Sequence, residues 1–256
     1  MKVSEICRAV ELTAPLAYQE GFDNSGLQTG LPSMEVRAVL VCLDVTEDIV
    51  DEAIERNCNM ILSHHPLIFK PLKQICGLSY QQRCCIKAIR NDIAIYSAHT
   101  SLDNAEGGVN YKISSLLGVQ VEDFLQRNGE CGSGVVGHLK EPMDSEVFLR
   151  KVKDTFGISS LRCSDFEGRV ISKIAICGGA GAFLLGEAIR QGVDCFVCGE
   201  FHYHDYFENC GVILCECGHY QSEQFTRELL KEIVQQACPG VEVLITERNT
   251  NPIKYI

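Results

Sequence analysis

A strand–helix–strand pattern occurs twice in this chain, and the two copies can be laid over one another. In the first, residues 39–43 form a continuous apolar run, 46–57 places Ile49, Val50, Ala53 and Ile54 on one helical face, and 60–62 is again strand-like. In the second, 173–177 reads as a strand, 180–191 as a helix and 194–197 as a strand, and sliding the first copy along the chain sets Ala53-Ile54 on Ala188-Ile189. A crossover helix returns the chain to the same end of the sheet, so the strands it joins run parallel. Parallel strands in turn need helices laid over them. The expected fold is α/β, with two similar βαβ-containing halves and helices packed on mixed sheets.

What stands at the ends of these strands gives the repeat its interest. Open α/β sheets place their chemistry beyond the carboxyl ends of parallel strands. Here the first half ends a strand on His64-His65-Pro66, and the same slide sets Gly199-Glu200 against that doublet. His99-x-x-x-Asp103 follows the apolar run 93–98 and His219-x-x-x-Glu223 follows 212–217, so one common shift superposes both the histidines and the acids. Two such halves facing each other would bring their strand ends into one cleft.

Histidine is the commonest side-chain ligand for a transition metal, and residues i and i+4 share one face of a helix. The segment 220–237 has a helical stripe of Phe225, Leu229, Leu230, Ile233, Val234 and Ala237, which lets His219 and Glu223 point together. Taken singly, His64 is a strand-terminal residue before proline and Glu223 a first-turn acid favoured by the helix dipole. Taken together, His64, His65, Asp103, His219 and Glu223 supply three imidazoles and two carboxylates, more donors than one tetrahedral ion takes. About five donors suit two divalent ions about 3.5–4 Å apart. Nitrogen and oxygen ligands serve zinc, iron, manganese, cobalt and nickel alike.

Composition removes several alternatives. With 23 basic and 34 acidic residues the net charge is -11, which repels nucleic-acid phosphates and anionic lipid, and no basic patch offsets it. The first residues lack the apolar core of a signal peptide and no window approaches a membrane span, so a cytoplasmic protein is expected. The 15 cysteines are odd in number and mostly sit in apolar runs, where they act as small buried hydrophobes rather than a disulfide framework. Cys195-x-x-Cys198 with Cys215-x-Cys217 offers four thiols, but the spacing of the first pair sends its side chains to opposite faces of a strand. Gly178-Gly179-Ala180-Gly181, between a strand and a helix, is either a phosphate cradle or a tight turn. Gly129 and Gly132 mark 126–133 as a boundary, dividing the chain into 1–127 plus 211–256 and a smaller domain, 128–210.

The strings Asp23-Asn24-Ser25-Gly26-Leu27-Gln28, Ser63-His64-His65-Pro66-Leu67, Ala98-His99-Thr100-Ser101-Leu102-Asp103-Asn104, Gly107-Gly108-Val109-Asn110 and Gly218-His219-Tyr220-Gln221-Ser222-Glu223 resemble the signatures of one family. It is the type 2 GTP cyclohydrolase I homologues, or NGG-one-interacting factor three-like proteins. The resemblance covers essentially the whole chain, in the short form without the inserted domain of longer members. Phe22 stands where the family often has tryptophan.

The resemblance implies a two-domain α/β fold, a dinuclear metal centre and a toroidal homohexamer built as a trimer of dimers. Its metal ligands fall on His64, His65, Asp103, His219 and Glu223, the set reached from spacing, with His99 as a further ligand or a group that orients one. It sets Glu200 and His204, in the loop 199–205, beside the metals, as proton donors or substrate contacts or simply as parts of a capped loop. The family name implies hydrolysis of a nucleotide-like substrate, GTP opened by water addition. The competing function is a metal-binding scaffold, metal chaperone or regulatory partner without turnover.

Overall fold

The computed structural model describes residues 1–254, which form two units. The first comprises residues 1–102 and the chain from Thr226 onward, the second 103–225. The sequence boundary at 126–133 coincides with neither junction. Gln126 pairs with Ser133 and Asn128 with Cys131, so that stretch is the tip of a β-hairpin. Glycine marks a tight reversal inside one sheet there, where the sequence suggested a linker.

With elements numbered along the chain, the first unit has a five-stranded sheet in the order β1-β4-β3-β2-β11. These are β1 (Gly26–Thr29), β2 (Ala38–Cys42), β3 (Met60–Ser63), β4 (Ala94–Ser97) and β11 (Glu242–Ile245). Only β1 is antiparallel to its neighbour. Strands β2, β3 and β4 are buried along their length, as parallel strands covered on both faces must be. Helices α2 (Glu47–Glu55) and α3 (Tyr80–Arg90) bury Ile49, Val50, Ala53, Cys84, Cys85 and Ala88 against Leu40, Ile61 and Ile95. Each aliphatic side chain so buried contributes roughly 1.5–3 kcal/mol. Helix α1 (Val3–Thr13) packs on α9 (Thr226–Ala237), which also lies on β2 and β11.

The second unit has six strands, β5 (Val119–Asn128), β6 (Cys131–Asp144), β7 (Arg162–Cys163), β8 (Val170–Cys177), β9 (Cys195–Cys198) and β10 (Ile213–Glu216). Their order is β5-β6-β8-β9-β10-β7, with β8, β9 and β10 parallel. Helix α5 (Val109–Leu117) packs on α6 (Ser145–Phe156) and on β8, while α7 (Leu185–Arg190) buries Leu185 and Ala188 with Phe196 and Leu214. Two short helices complete the chain: α4 (Thr100–Asp103), inside which it passes from the first unit to the second, and α8 (His219–Glu223).

The internal repeat is present in register. The slide that sets Ala53 on Ala188 carries β3 onto β9, and the pairing Cys42↔Ser63 onto Cys177↔Cys198. It also carries the end of α2 onto the end of α7. The closing bond Cys58 N–H to Ala53 O becomes Val193 N–H to Ala188 O, with Asn57 and Gly192 both left-handed at the turn. Each three-stranded parallel core has an antiparallel strand on the same edge, β1 on β4 and β7 on β10. The expected α/β halves on mixed sheets are therefore found.

One buried carboxylate fastens the end of β11 to α2. Glu52, 3% exposed, accepts hydrogen bonds from the Thr246 hydroxyl, the Glu247 amide at 3.0 Å and Arg56 at 2.7 Å. Burial pushes its carboxyl up, but these donors outweigh that and hold it below the usual range. Glu52→Ala would leave the donors unpaired and is expected to cost about 2–3 kcal/mol, read as a lower urea midpoint. An unchanged midpoint would show that the carboxylate is dispensable.

Candidate metal centre

Three strand ends of the first unit stand level, because Cys42, Ser63 and Ser97 are register partners across β2, β3 and β4. Two residues beyond each lie Asp44, His65 and His99, so parallel pairing alone brings an acid and two imidazoles to one edge. His64 is fully buried beside them. The rings of His64, His65 and His99 have centroids 4.9–5.4 Å apart. Their ligand nitrogens lie within 4.8 Å of one another.

Each of these imidazoles is held from behind by an oxygen. His64 Nδ1 lies 2.9 Å from the carbonyl of Ala98, which can only accept, so Nδ1 carries the proton and Nε2 the lone pair. His65 Nδ1 is 2.7 Å from Asp44, whose other oxygen accepts from the Thr250 hydroxyl at 2.7 Å. His99 Nδ1 is 2.7 Å from Asp23. Metal-binding histidines are oriented in this way, by a carboxylate or carbonyl on the other ring nitrogen.

Burial pushes both carboxyls up, yet the imidazole hydrogen bonds and hydroxyl donors prevail and hold Asp44 and Asp23 below their ordinary range. Both are therefore ionised acceptors at neutral pH. At the rim, Phe69 stands edge-on to His99 at 5.9 Å and Phe22 packs on Phe69 at 6.3 Å.

The second unit gathers Asp103, His219 and Glu223. Helix α8 starts at His219, so Glu223 falls one turn on, and His219 Nε2 lies 3.1 Å from Glu223 Oε2. Two ligands each ~2.1 Å from one ion, at ~90–110°, are ~3.0–3.4 Å apart, which this pair satisfies. An Asp103 oxygen lies within 4.8 Å of one from Glu223. His219 Nδ1 lies 3.0 Å from Glu200, which stands behind its ring as Asp44 stands behind that of His65. His204 is on an exposed single turn, its ring against Tyr203 and Phe207.

The glycine-rich turn 178–181 is shaped around this site. Its first amides are already committed, Gly178 N–H to Asn110 Oδ1 at 2.9 Å and Gly179 N–H to Ser222 Oγ at 3.0 Å, so they form no phosphate cradle. Asn110 also donates to the Asp103 carbonyl at 3.1 Å, tying α4, α5 and the turn together. In the repeat, Gly179 occupies the position of Asp44. A Cβ there would lie 2.2 Å from Glu223 Oε1, so the missing side chain makes room for the carboxylate.

Sequence reasoning names the histidines and Glu200 but gives no role to the carboxylates behind His65 and His99. Asp23 stood inside a quoted string without a role, and Asp44 was overlooked, although its place two residues past a strand was a usable signal. The donor chemistry, the protonated Nδ1 positions and the space kept for Glu223 all fit divalent metal ions. The set is imidazole nitrogen and carboxylate oxygen, as zinc, iron, manganese, cobalt or nickel require.

Buried strand ends carrying braced imidazoles on α/β sheets define an α/β protein with a candidate metal-binding cluster. The DUF34/NIF3 family, NGG1p interacting factor 3, matches residues 1–252, and the chain belongs to that family. A Clostridium acetobutylicum protein named GTP cyclohydrolase 1 type 2 homolog is 33% identical over 100% of this chain and 99% of its own. A Lactococcus lactis protein of the same name is 34% identical over 98% of each chain. The crystal structure of a Bacillus cereus protein related to NIF3 superposes with a TM-score of 0.89 at 25% identity, covering 100% of this chain and 99% of that one. Among the described residues, no helix is long and apolar enough to cross a membrane.

Proposed function

We propose that the protein holds two divalent transition-metal ions on His64, His65, Asp103, His219 and Glu223 and hydrolyses a nucleotide-like substrate. The observation that carries this reading is the bracing of four imidazoles. His64, His65, His99 and His219 each meet an oxygen acceptor through Nδ1, an arrangement that fixes Nε2 as the ligand atom. Five donors suit two ions, and Asp103 lies only four residues beyond His99 along the chain. Two bound ions would supply water activation at neutral pH and polarisation of a carbonyl, ring C=N or phosphoryl group.

The remaining roles belong to the chain. Asp44 and Glu200 hold the rings of His65 and His219 in the ligating orientation. His99, fixed by Asp23, is suited to move a proton at Nε2 or to serve as a further ligand. Glu200 and His204 are the candidate substrate contacts on the loop 199–205. The relatives' name points to GTP, whose purine ring would open by addition of water. A homohexamer built as a trimer of dimers is proposed alongside, and light scattering on the 28.4 kDa chain tests it. A mass of one or two chains would overturn it.

Elemental analysis after reconstitution is expected to give about two ions per chain, and well under one would end the metal reading. Metal-loaded protein should release product from GTP or another nucleotide. His65→Ala and Glu223→Ala should lose both metal and product, and chelation should abolish turnover until metal is restored. Full loading with no product across a broad nucleotide and phosphoester panel would leave a metal-binding scaffold instead.

A further inference from the structure

Among the 15 cysteines, Cys163 and Cys215 face each other directly across the antiparallel pair β7–β10. The neighbouring pair settles their geometry. Ser164 N–H donates to Leu214 O at 3.1 Å, and Leu214 N–H donates to the Ser164 hydroxyl at 2.9 Å. Residues 164 and 214 thus occupy a hydrogen-bonded position, and Cys163 and Cys215 the non-hydrogen-bonded position beside it. There Cα atoms approach to ~4.5 Å and side chains stand closest. Disulfides form across Cα separations of ~4.4–6.8 Å, so a bridge needs little backbone movement.

Access is unequal. β7 is a two-residue edge strand and Cys163 is half-buried, whereas Cys215 is fully buried behind it. A second register pair, Cys177 and Cys198, is buried on both sides and offers an oxidant no entry. Cys195, on the same face, lies two strands from Cys163 and two residues out of register with it, more than ~10 Å away and beyond reach of a bridge.

We propose that Cys163 and Cys215 form a reversible cross-strand disulfide, made by exchange with a small-molecule disulfide. The Cys163 thiolate attacks one sulfur of RS–SR, forming a mixed disulfide and expelling RS⁻, which takes up a proton. The Cys215 thiol then loses its proton and attacks Cys163 Sγ, expelling the second RS⁻. Two thiols are oxidised by two electrons in all, and one RS–SR becomes two RSH. A hydrogen bond from Cys215 favours the Cys163 thiolate and holds its pKa below the ordinary value despite burial. The bridge would fasten the edge strand to β10, whose chain continues through Gly218 into His219.

The test treats the folded full chain with glutathione disulfide, traps remaining thiols by alkylation and maps peptides by mass spectrometry. The expected product is a 163–215 linked peptide that dithiothreitol releases. Cys163→Ser should abolish the linked peptide, while the exposed Cys76 and Cys210 still take up glutathione. The wild-type measurement stands without the variant. Recovery of Cys163 only as a glutathione adduct or free thiol would overturn the proposal. So would a link that forms only in denaturant, or one joining Cys163 to another cysteine.

Discussion

Asp23→Ala is expected to destabilise the first unit by about 3–4 kcal/mol, because one carboxylate with no exposed side-chain area satisfies five donors. They are His99 Nδ1 and the Asn24 amide, each at 2.7 Å, the Ser25 hydroxyl at 2.9 Å, the Thr100 amide at 3.1 Å and the Thr100 hydroxyl at 2.5 Å. Alanine removes every acceptor at once and leaves polar groups facing a void too confined for full rehydration. Denaturant melts of the two proteins should show the loss as a lower midpoint with similar slope.

Asp23→Asn separates charge from shape. The amide keeps one oxygen but turns an NH2 towards groups that themselves donate, so most of the loss should persist. His99 would also lose its anionic partner, so its ring should reorient, visible as changed imidazole resonances. If Asp23→Ala melted within about 0.5 kcal/mol of the parent, solvent would be replacing the carboxylate and the bracing argument would fail for His99.

Much of this framework was readable before any coordinates. The runs 39–43 and 60–62 are apolar without alternation, the mark of strands buried on both faces, and both are parallel strands in the structure, while 174–177 pairs in parallel with β9 and antiparallel with β6. α6 begins at Ser145 because Asp144 caps it, accepting from the amides of Glu146 and Val147, and Gly157 closes it. The halves could be matched because one slide along the chain preserves both periodicity and turn chemistry.

What was hidden depends on contacts remote in sequence. β11 is a short strand near the far end of the chain, recruited by β2 near its beginning through pairings such as Leu40↔Leu244. The helix expected over 220–237 is two helices, α8 and α9. Their break is set by Gln224, whose side chain donates to the carbonyls of Phe156 and Gln221, and by Phe225, whose ring packs at a tilt against Phe156 at 5.7 Å. Periodicity saw the stripe on α9 but not the break that leaves α8 free to aim His219 and Glu223. The carboxylate behind His99 escaped for the same reason: Asp23 and His99 are separated by 76 residues and meet only through pairing of β1 with β4.

Gly179→Ala is expected to weaken metal binding by about 10–100-fold, the range seen when groups supporting metal ligands are lost, although residue 179 donates nothing to an ion. Two costs coincide there. Its φ of +61° is left-handed, which costs a residue with a Cβ about 1–2 kcal/mol. The added methyl would also sit 2.2 Å from Glu223 Oε1, 3.1 Å from its Cδ and 3.3 Å from His219 Nε2. Glu223 is only 4% exposed, so its carboxylate cannot retreat without shifting α8, and a shift spoils the 3.1 Å spacing to His219. Competition against a chromophoric chelator would measure the affinity. Gly186→Ala supplies the control: that glycine lies within α7 with nothing inside 4 Å of an added methyl, so the change should leave affinity intact and raise stability by up to about 1 kcal/mol. Wild-type affinity in Gly179→Ala would mean that Glu223 is not held at a metal by this turn. The two halves of the repeat would then differ at residues 44 and 179 for some reason other than the room a carboxylate needs.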